Sequence, residues 1–126
     1  GTSLRVDGRN RTFDFTHLDD TVRGILAVRD LLEHGEDDLP PIHFVTGRPT
    51  TLGELAEIAV DAAESDSIIR DAPPRDYDVA KFLGDPSRAR DLLGWRAQVG
   101  IDDGMRRLVR DFEAQIGVSD TVRGVV

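Results

Sequence analysis

"RDYDVAKFLGDPSRARDLLGW" runs from Arg75 to Trp95. It holds the only tyrosine of the chain, Tyr77, and the only lysine, Lys81, four residues apart. On a helix that spacing sets an ammonium beside a phenol and lowers the phenol's pKa, as an acid/base pair requires. The surroundings oppose this reading. Pro73-Pro74 lie just upstream and Gly84-Asp85-Pro86 close the segment, so little room is left for a helix. Hydride chemistry would also need a carrier. None of the 12 glycines falls into Gly-x-Gly-x-x-Gly or Gly-x-x-Gly-x-x-Gly after a strand. The Tyr77–Lys81 spacing is therefore read as accidental. No catalytic residue is assigned, and the chain is expected to bind no cofactor of its own.

Downstream of that stretch, Asp85-Pro86 signals a helix start, an N-cap acid followed by proline. This helix is expected to turn Ala89, Leu92 and Leu93 inward and to end at Gly94, with Trp95 packed under the turn. A last helix carries Met105, Leu108, Val109, Phe112 and Ile116 at helical spacing. Upstream, Leu4–Gly8 reads as a short strand entering a turn. Thr12–Leu18 alternates, with Phe13 and Phe15 on one face. Asp20 is expected to N-cap a helix with Val22, Ile25, Leu26 and Leu32 inward, stopped by Gly35. Ile42–Val45 reads as a buried strand. Thr51 and Glu54 form a capping box for another helix. Ser67–Ile69 suggests a further core strand. Strands alternating with helices give an α/β class with a few short strands and about four helices. Residues 1–117 are read as one domain and 118–126 as a tail. So small a sheet leaves edges unprotected, which predicts an exposed docking face and self-association.

The bulk properties narrow the function. There are 24 acids against 16 bases, a formal net charge of −8. A phosphate-backbone binder needs a basic face, so no nucleic-acid partner is expected. His17, His34 and His43 are scattered without ligand spacing, so no metal site is expected. Asp19-Asp20 and Asp102-Asp103 fit helix starts, where the macrodipole favours acids, better than a carboxylate dyad. The chain has no cysteine, no apolar run near the roughly 20 residues of a membrane span, and no signal peptide at its start. A reducing, cytoplasmic setting fits. The first residue is Gly1 rather than Met, as in a fragment or a processed chain.

Residues 73–112, "PPRDYDVAKFLGDPSRARDLLGWRAQVGIDDGMRRLVRDF", resemble the C-terminal part of extended short-chain dehydrogenases, the NAD-dependent nucleotide-sugar epimerases and dehydratases. The family's Arg-x-x-Asp is matched by Arg75 and Asp78. Its Asp-x-Ser-Lys/Arg-Ala is matched from Asp85 through Ser87-Arg88-Ala89, its Leu-Gly-Trp by Leu93-Gly94-Trp95, and its glycine at the start of the last helix by Gly104. "FDFTHLDDTVRGI" is similar to the family's Arg-Asp-Phe/Tyr strand and helix. "HFVTGRPTTLGELAEI" is similar to its strand, glycine turn and capped helix, and "LRVDG" to the strand beside the nucleotide base. The likeness covers roughly residues 4–114.

The resemblance implies a substrate-binding lobe that lacks the N-terminal Rossmann half. In the parent enzyme that half binds NAD and supplies the catalytic Tyr and Lys. UDP-hexose 4-epimerisation is the first expectation for the parent reaction. Arg75 would bind the diphosphate of a nucleotide sugar with parallel hydrogen bonds, and Asp78 would accept from the ribose hydroxyls. Where the family's Arg-Asp-Phe motif has its arginine, this chain has Phe13, so Arg9 and Arg11 are candidates for the same contact; Asp7 is a further candidate. The alternative is a non-enzymatic α/β module that binds a nucleotide or a protein.

Overall fold

The computed structural model describes residues 2–123, with side chains through residue 117. It has four short strands and four helices: β1 (Leu4–Asp7), β2 (Thr12–Phe13), α1 (Leu18–Glu33), β3 (Thr50–Thr51), α2 (Leu52–Ala62), β4 (Ile69–Ala72), α3 (Ser87–Leu93) and α4 (Ile101–Arg123). β1 and β4 pair in parallel, Leu4 opposite Ile69 and Asp7 opposite Ala72. β2 and β3 pair antiparallel, Thr12 opposite Thr51. Residues 80–82 extend this second ladder: Thr12 N donates to the Ala80 carbonyl, and Phe82 N to the Thr12 carbonyl. The α/β expectation therefore holds, with a sheet divided into two small ladders.

The core is small. Val6, Val45, Ala56, Ala89 and Trp95 are its buried apolar residues. Trp95 follows the left-handed turn at Gly94 that ends α3, and its ring lies 5.1 Å from Phe44. Its indole Nε1 donates to the Asp20 carbonyl at 2.9 Å. Phe44 in turn lies against Gly24 of α1. A Cβ on Gly24 would stand 2.5 Å from the Phe44 ring, so only glycine lets the helix approach this closely.

Asp20 does not cap α1, as the sequence suggests. The N-cap is His17, whose Nδ1 accepts from Asp19 N. Asp20 is 2% exposed, inside the helix on its inner face. Its carboxylate accepts from the backbone N–H of Gln98 and of Val99 and from the Arg23 guanidinium. Burial pushes this carboxyl upward. The Arg23 hydrogen bond and the Val99 and Gln98 N–H groups together outweigh it and hold the pKa below the ordinary range.

Other expectations shift for packing reasons. Ile42–Val45 is not a strand: Val45 is buried, but the segment has no ladder partner among the described residues and packs by its side chains. The core strand near Ser67 lies at Ile69–Ala72, leaving Ile68 exposed. The alternating stretch from Thr12 is a strand only to Phe13, because α1 already begins at Leu18. Asp85 serves α3 from one residue before its N-cap, Pro86, by accepting from Ser87 N. The capping box of α2 is formed as expected, Glu54 N to Thr51 Oγ1 and Thr51 N to Glu54 Oε2. The segment read as a tail continues α4 as far as Arg123, and residues 124–126 lie outside the described residues.

The largest correction concerns helix faces. The inner face of α1 carries Asp20, Gly24, Ala27, Val28 and Leu31. The stripe expected inside, Val22, Ile25, Leu26 and Leu32, is 44–57% exposed. Leu92 of α3 and Leu108, Phe112 and Ile116 of α4 are likewise exposed. These apolar faces find no cover within the described residues.

Two outcomes follow from this packing. Asp20→Ala leaves two part-buried N–H groups, of Gln98 and Val99, without their acceptor and is expected to cost about 2 kcal/mol or more at neutral pH, read by thermal or denaturant unfolding. Because the folded pKa of Asp20 is depressed, its contribution is present above the unfolded value and is lost as pH falls through the folded one. The gap between wild type and Asp20→Ala should therefore narrow below about pH 4. A gap that stays constant from pH 7 to pH 2 would refute this role. The second outcome concerns the outer face of α1. Ultracentrifugation should show concentration-dependent association, and Ile25→Asp should suppress it with little loss of melting temperature; a strict monomer at all concentrations counts against a sticky face.

Candidate functional site

The parallel pairing of β1 and β4 brings two chain segments to one end of the sheet. Past β1 the chain turns through Gly8; past β4 it runs through Pro73-Pro74 to Arg75. Gly8 N donates to the Ala72 carbonyl at 2.9 Å and fastens the two exits together. In open α/β sheets the carboxyl ends of parallel strands are where ligands gather. Gly8 is buried with φ +75°, and a Cβ there would lie 2.8 Å from Arg11 Cγ and 2.9 Å from Pro74 Cβ. The two exits cross at that point with no space between them.

A groove of about 370 Å³ runs along β1 toward α2 and α4. Leu4, Val6, Leu52, Leu55, Ala56 and Met105 give it an apolar floor, and Arg5, Asp7 and Arg75 also line it. Among the described residues β1 pairs only with β4, and its other edge has no strand partner there.

Arg75 and Asp78 form a tight turn, Asp78 N donating to the Arg75 carbonyl at 3.1 Å. The Asp78 carboxylate accepts from Arg75 Nε at 3.1 Å and faces Arg75 Nη2 at 3.0 Å. It also accepts from the backbone N–H of Arg75. The hydrogen bond from Arg75 is the main reason why Asp78 titrates below the usual carboxylate range, and Arg11 adds a smaller electrostatic pull. The same bond raises Arg75. Asp78 thus occupies the Nε–Nη2 edge of the guanidinium. The Arg75 side chain remains more than half exposed, and a guanidinium edge can give an anion two parallel bonds. The Tyr77 ring lies 5.1 Å beneath this guanidinium.

The five site residues named from sequence separate into two groups. Asp7 and Arg75 line one groove, Asp78 orients Arg75, and Arg11 lies near Asp78. Arg9 is engaged elsewhere: its guanidinium bridges Asp71 of β4, at 3.2 Å, and Glu57 of α2. Asp7 is paired with Arg5 at 2.6 Å. Tyr77 is 78% exposed in a non-helical turn, and Lys81 bridges to Thr12, so the two do not share a helix face.

Asp14 was not singled out from sequence. Its carboxylate accepts from Thr46 N and Oγ1 and from Gly47 N, and so fixes the turn before β3. Its place in "FDFTHLDD" gives no local sign of this, because the partners are more than thirty residues away. Among the described residues no group of three or more His, Cys, Asp or Glu could hold a metal ion. No helix among them is long and apolar enough to cross a membrane.

Comparison with known proteins places this geometry. No family model matches the chain. It is 27% identical over 119 residues to UDP-glucuronic acid decarboxylase 1 of Arabidopsis thaliana, covering 94% of the chain and 26% of that protein. It superposes on the UDP-glucose 4-epimerase of Thermotoga maritima solved with UDP-glucose, with TM-score 0.77, 27% identity, and coverage of 90% of this chain and 36% of that one. Over nearly its whole length the chain is therefore similar in sequence and fold to a segment of the nucleotide-sugar epimerases and decarboxylases. A third structure, the Bordetella bronchiseptica enzyme WbmF in complex with NAD+ and UDP, is matched with TM-score 0.69 at 27% identity, over 93% of this chain and 33% of that one. The chain spans only about a quarter to a third of the length of these relatives. This chain contributes the β1–β4 ends and the Arg75–Asp78 turn. It contains no strand, glycine turn and helix of the dinucleotide-binding kind among the described residues, since β1 passes through Gly8 into β2 and not into a helix.

Proposed function

We propose that this chain is the nucleotide-sugar-binding lobe of an NAD-dependent epimerase, decarboxylase or dehydratase, with a UDP-hexose as substrate. The observation that carries the reading is the Arg75–Asp78 turn at the carboxyl end of two parallel strands, beside an apolar groove. The groove suits a flat base and ribose, and the exposed guanidinium of Arg75 suits a diphosphate. Asp78 holds Arg75 in place. It accepts two of its three close contacts on Oδ2 and one on Oδ1, which leaves capacity for a ribose hydroxyl. The lobe would fix the sugar for hydride removal and return by groups outside this chain. Residues present here do not fit NAD, so the cofactor and its catalytic acid/base pair belong to a Rossmann half. The exposed stripes of α1 and α4 are the surfaces of the lobe best suited to meet that half.

The chain should bind UDP weakly, in the millimolar range, because a half-open site gives up much of its burial. Arg75→Ala should raise the dissociation constant for UDP at least about tenfold and leave uridine nearly unchanged, since uridine has no phosphate. Asp78→Asn should weaken both, because both carry the ribose. Amide NMR titration reads all of these; equal losses for UDP and uridine in Arg75→Ala would refute the assignment. The same chain should show neither saturable NAD binding nor turnover of a UDP-sugar. Stoichiometric NAD in the purified protein, or turnover that Tyr77→Phe abolishes, would overturn the division of labour.

A further inference from the structure

Resting on that reading and deepening it, we infer that Tyr77 is a positioning residue of the anion site: its ring carries the Arg75 guanidinium and sets the plane in which that group meets a phosphate. The turn that brings the Asp78 carboxylate to Arg75 also holds Tyr77, and the Arg75 guanidinium carbon stands over its ring, 5.1 Å from the centroid. Tyr77 is 78% exposed. The rings of Phe13, Phe44 and Phe82 each lie against another ring, those of Phe15, Trp95 and His43. The ring of Tyr77 meets a guanidinium instead. So exposed an aromatic adds little to the core, and its contribution lies in what it holds.

The same arrangement occurs at Arg23, inside the fold. Arg23 lies over the Trp95 ring at 5.5 Å and donates to Asp20, three residues before it. That guanidinium also donates to the Arg96 carbonyl, so ring, carboxylate and carbonyl fix it as part of the scaffold. Arg75 has a ring and a carboxylate in the same way, but at the surface. Its side chain stays 56% exposed and lines the groove. A long arginine side chain loses rotamer freedom when it binds. Asp78 restrains Arg75 along one edge of the guanidinium. A ring against its face restrains the rotation that an edge contact leaves free. A donor fork already held in one plane gives up less freedom when a phosphate arrives.

The test titrates the chain with UDP, inorganic diphosphate and uridine, followed by NMR. Tyr77→Ala should weaken UDP and diphosphate about three- to fivefold, the range of an exposed cation–π contact, and leave uridine and the melting temperature unchanged. Tyr77→Phe keeps the ring and should restore UDP binding. In an Arg75→Ala background, Tyr77→Ala should cost nothing more, because Tyr77 acts through Arg75. Without ligand, the Arg75 Nε–H should give a lower heteronuclear NOE in Tyr77→Ala than in wild type or Tyr77→Phe. If Arg75→Ala weakens UDP while Tyr77→Ala binds it like wild type, the inference fails and the proposed function stands. If Tyr77→Ala costs as much in the Arg75→Ala background as in wild type, Tyr77 acts independently of Arg75 and the inference fails. If Arg75→Ala leaves UDP binding unchanged, both fall.

Discussion

The buried carboxylate of Asp20 holds the two halves of this small domain together. It sits on the inner face of α1 and gathers N–H groups from the turn before α4, while its own backbone carbonyl takes the indole of Trp95. Three separate elements therefore meet at one residue. Such a group is costly to bury, and it is stable here because its hydrogen-bond demand is met on every side. Gly24, one turn on, admits the Phe44 ring, which continues the contact to Trp95. The apolar core is too small to define these distances alone, so a directional polar anchor fixes where α1 stands relative to the C-terminal segment.

The site end of the molecule is stiffened by a different device. The turn after β1 is tied to α2 through main-chain hydrogen bonds and to β4 through the Arg9 ion pairs. The crossing at Gly8 then sets Pro74 and Arg11 against one another. The guanidinium of Arg75 is held in place by Asp78, which takes up part of its freedom to move. Many of the carboxylates of this acidic chain are paired with arginines, so its net charge says little about a single groove.

The exposed stripes on α1 and α4 have the same origin as the small core. The chain spans about a third of the length of a matched structure, and few of its own apolar side chains are fully buried. Val22, Ile25 and Leu26 are apolar and exposed, with no cover among the described residues. This explains how an ordinary globular composition coexists with so few fully buried side chains.

Much was legible in the sequence because it is written locally. The Thr51–Glu54 capping box, the Gly94 stop, the proline-led start of α3 and the strand at Leu4 each depend on residues within a few positions. The family likeness rested on such local motifs in order, and the exclusion of a Tyr77–Lys81 helix rested on flanking prolines. Helix faces were not legible. Both sides of α1 carry small or apolar residues, and periodicity cannot say which side meets this chain and which meets something else. Nor could spacing show that Asp20 is an anchor and not a cap, that Asp14 holds a turn thirty residues away, or that Arg9 is spent on Asp71 and Glu57 while Arg11 is not. Those assignments depend on which distant groups the fold brings within hydrogen-bonding distance, and only the tertiary structure decides that.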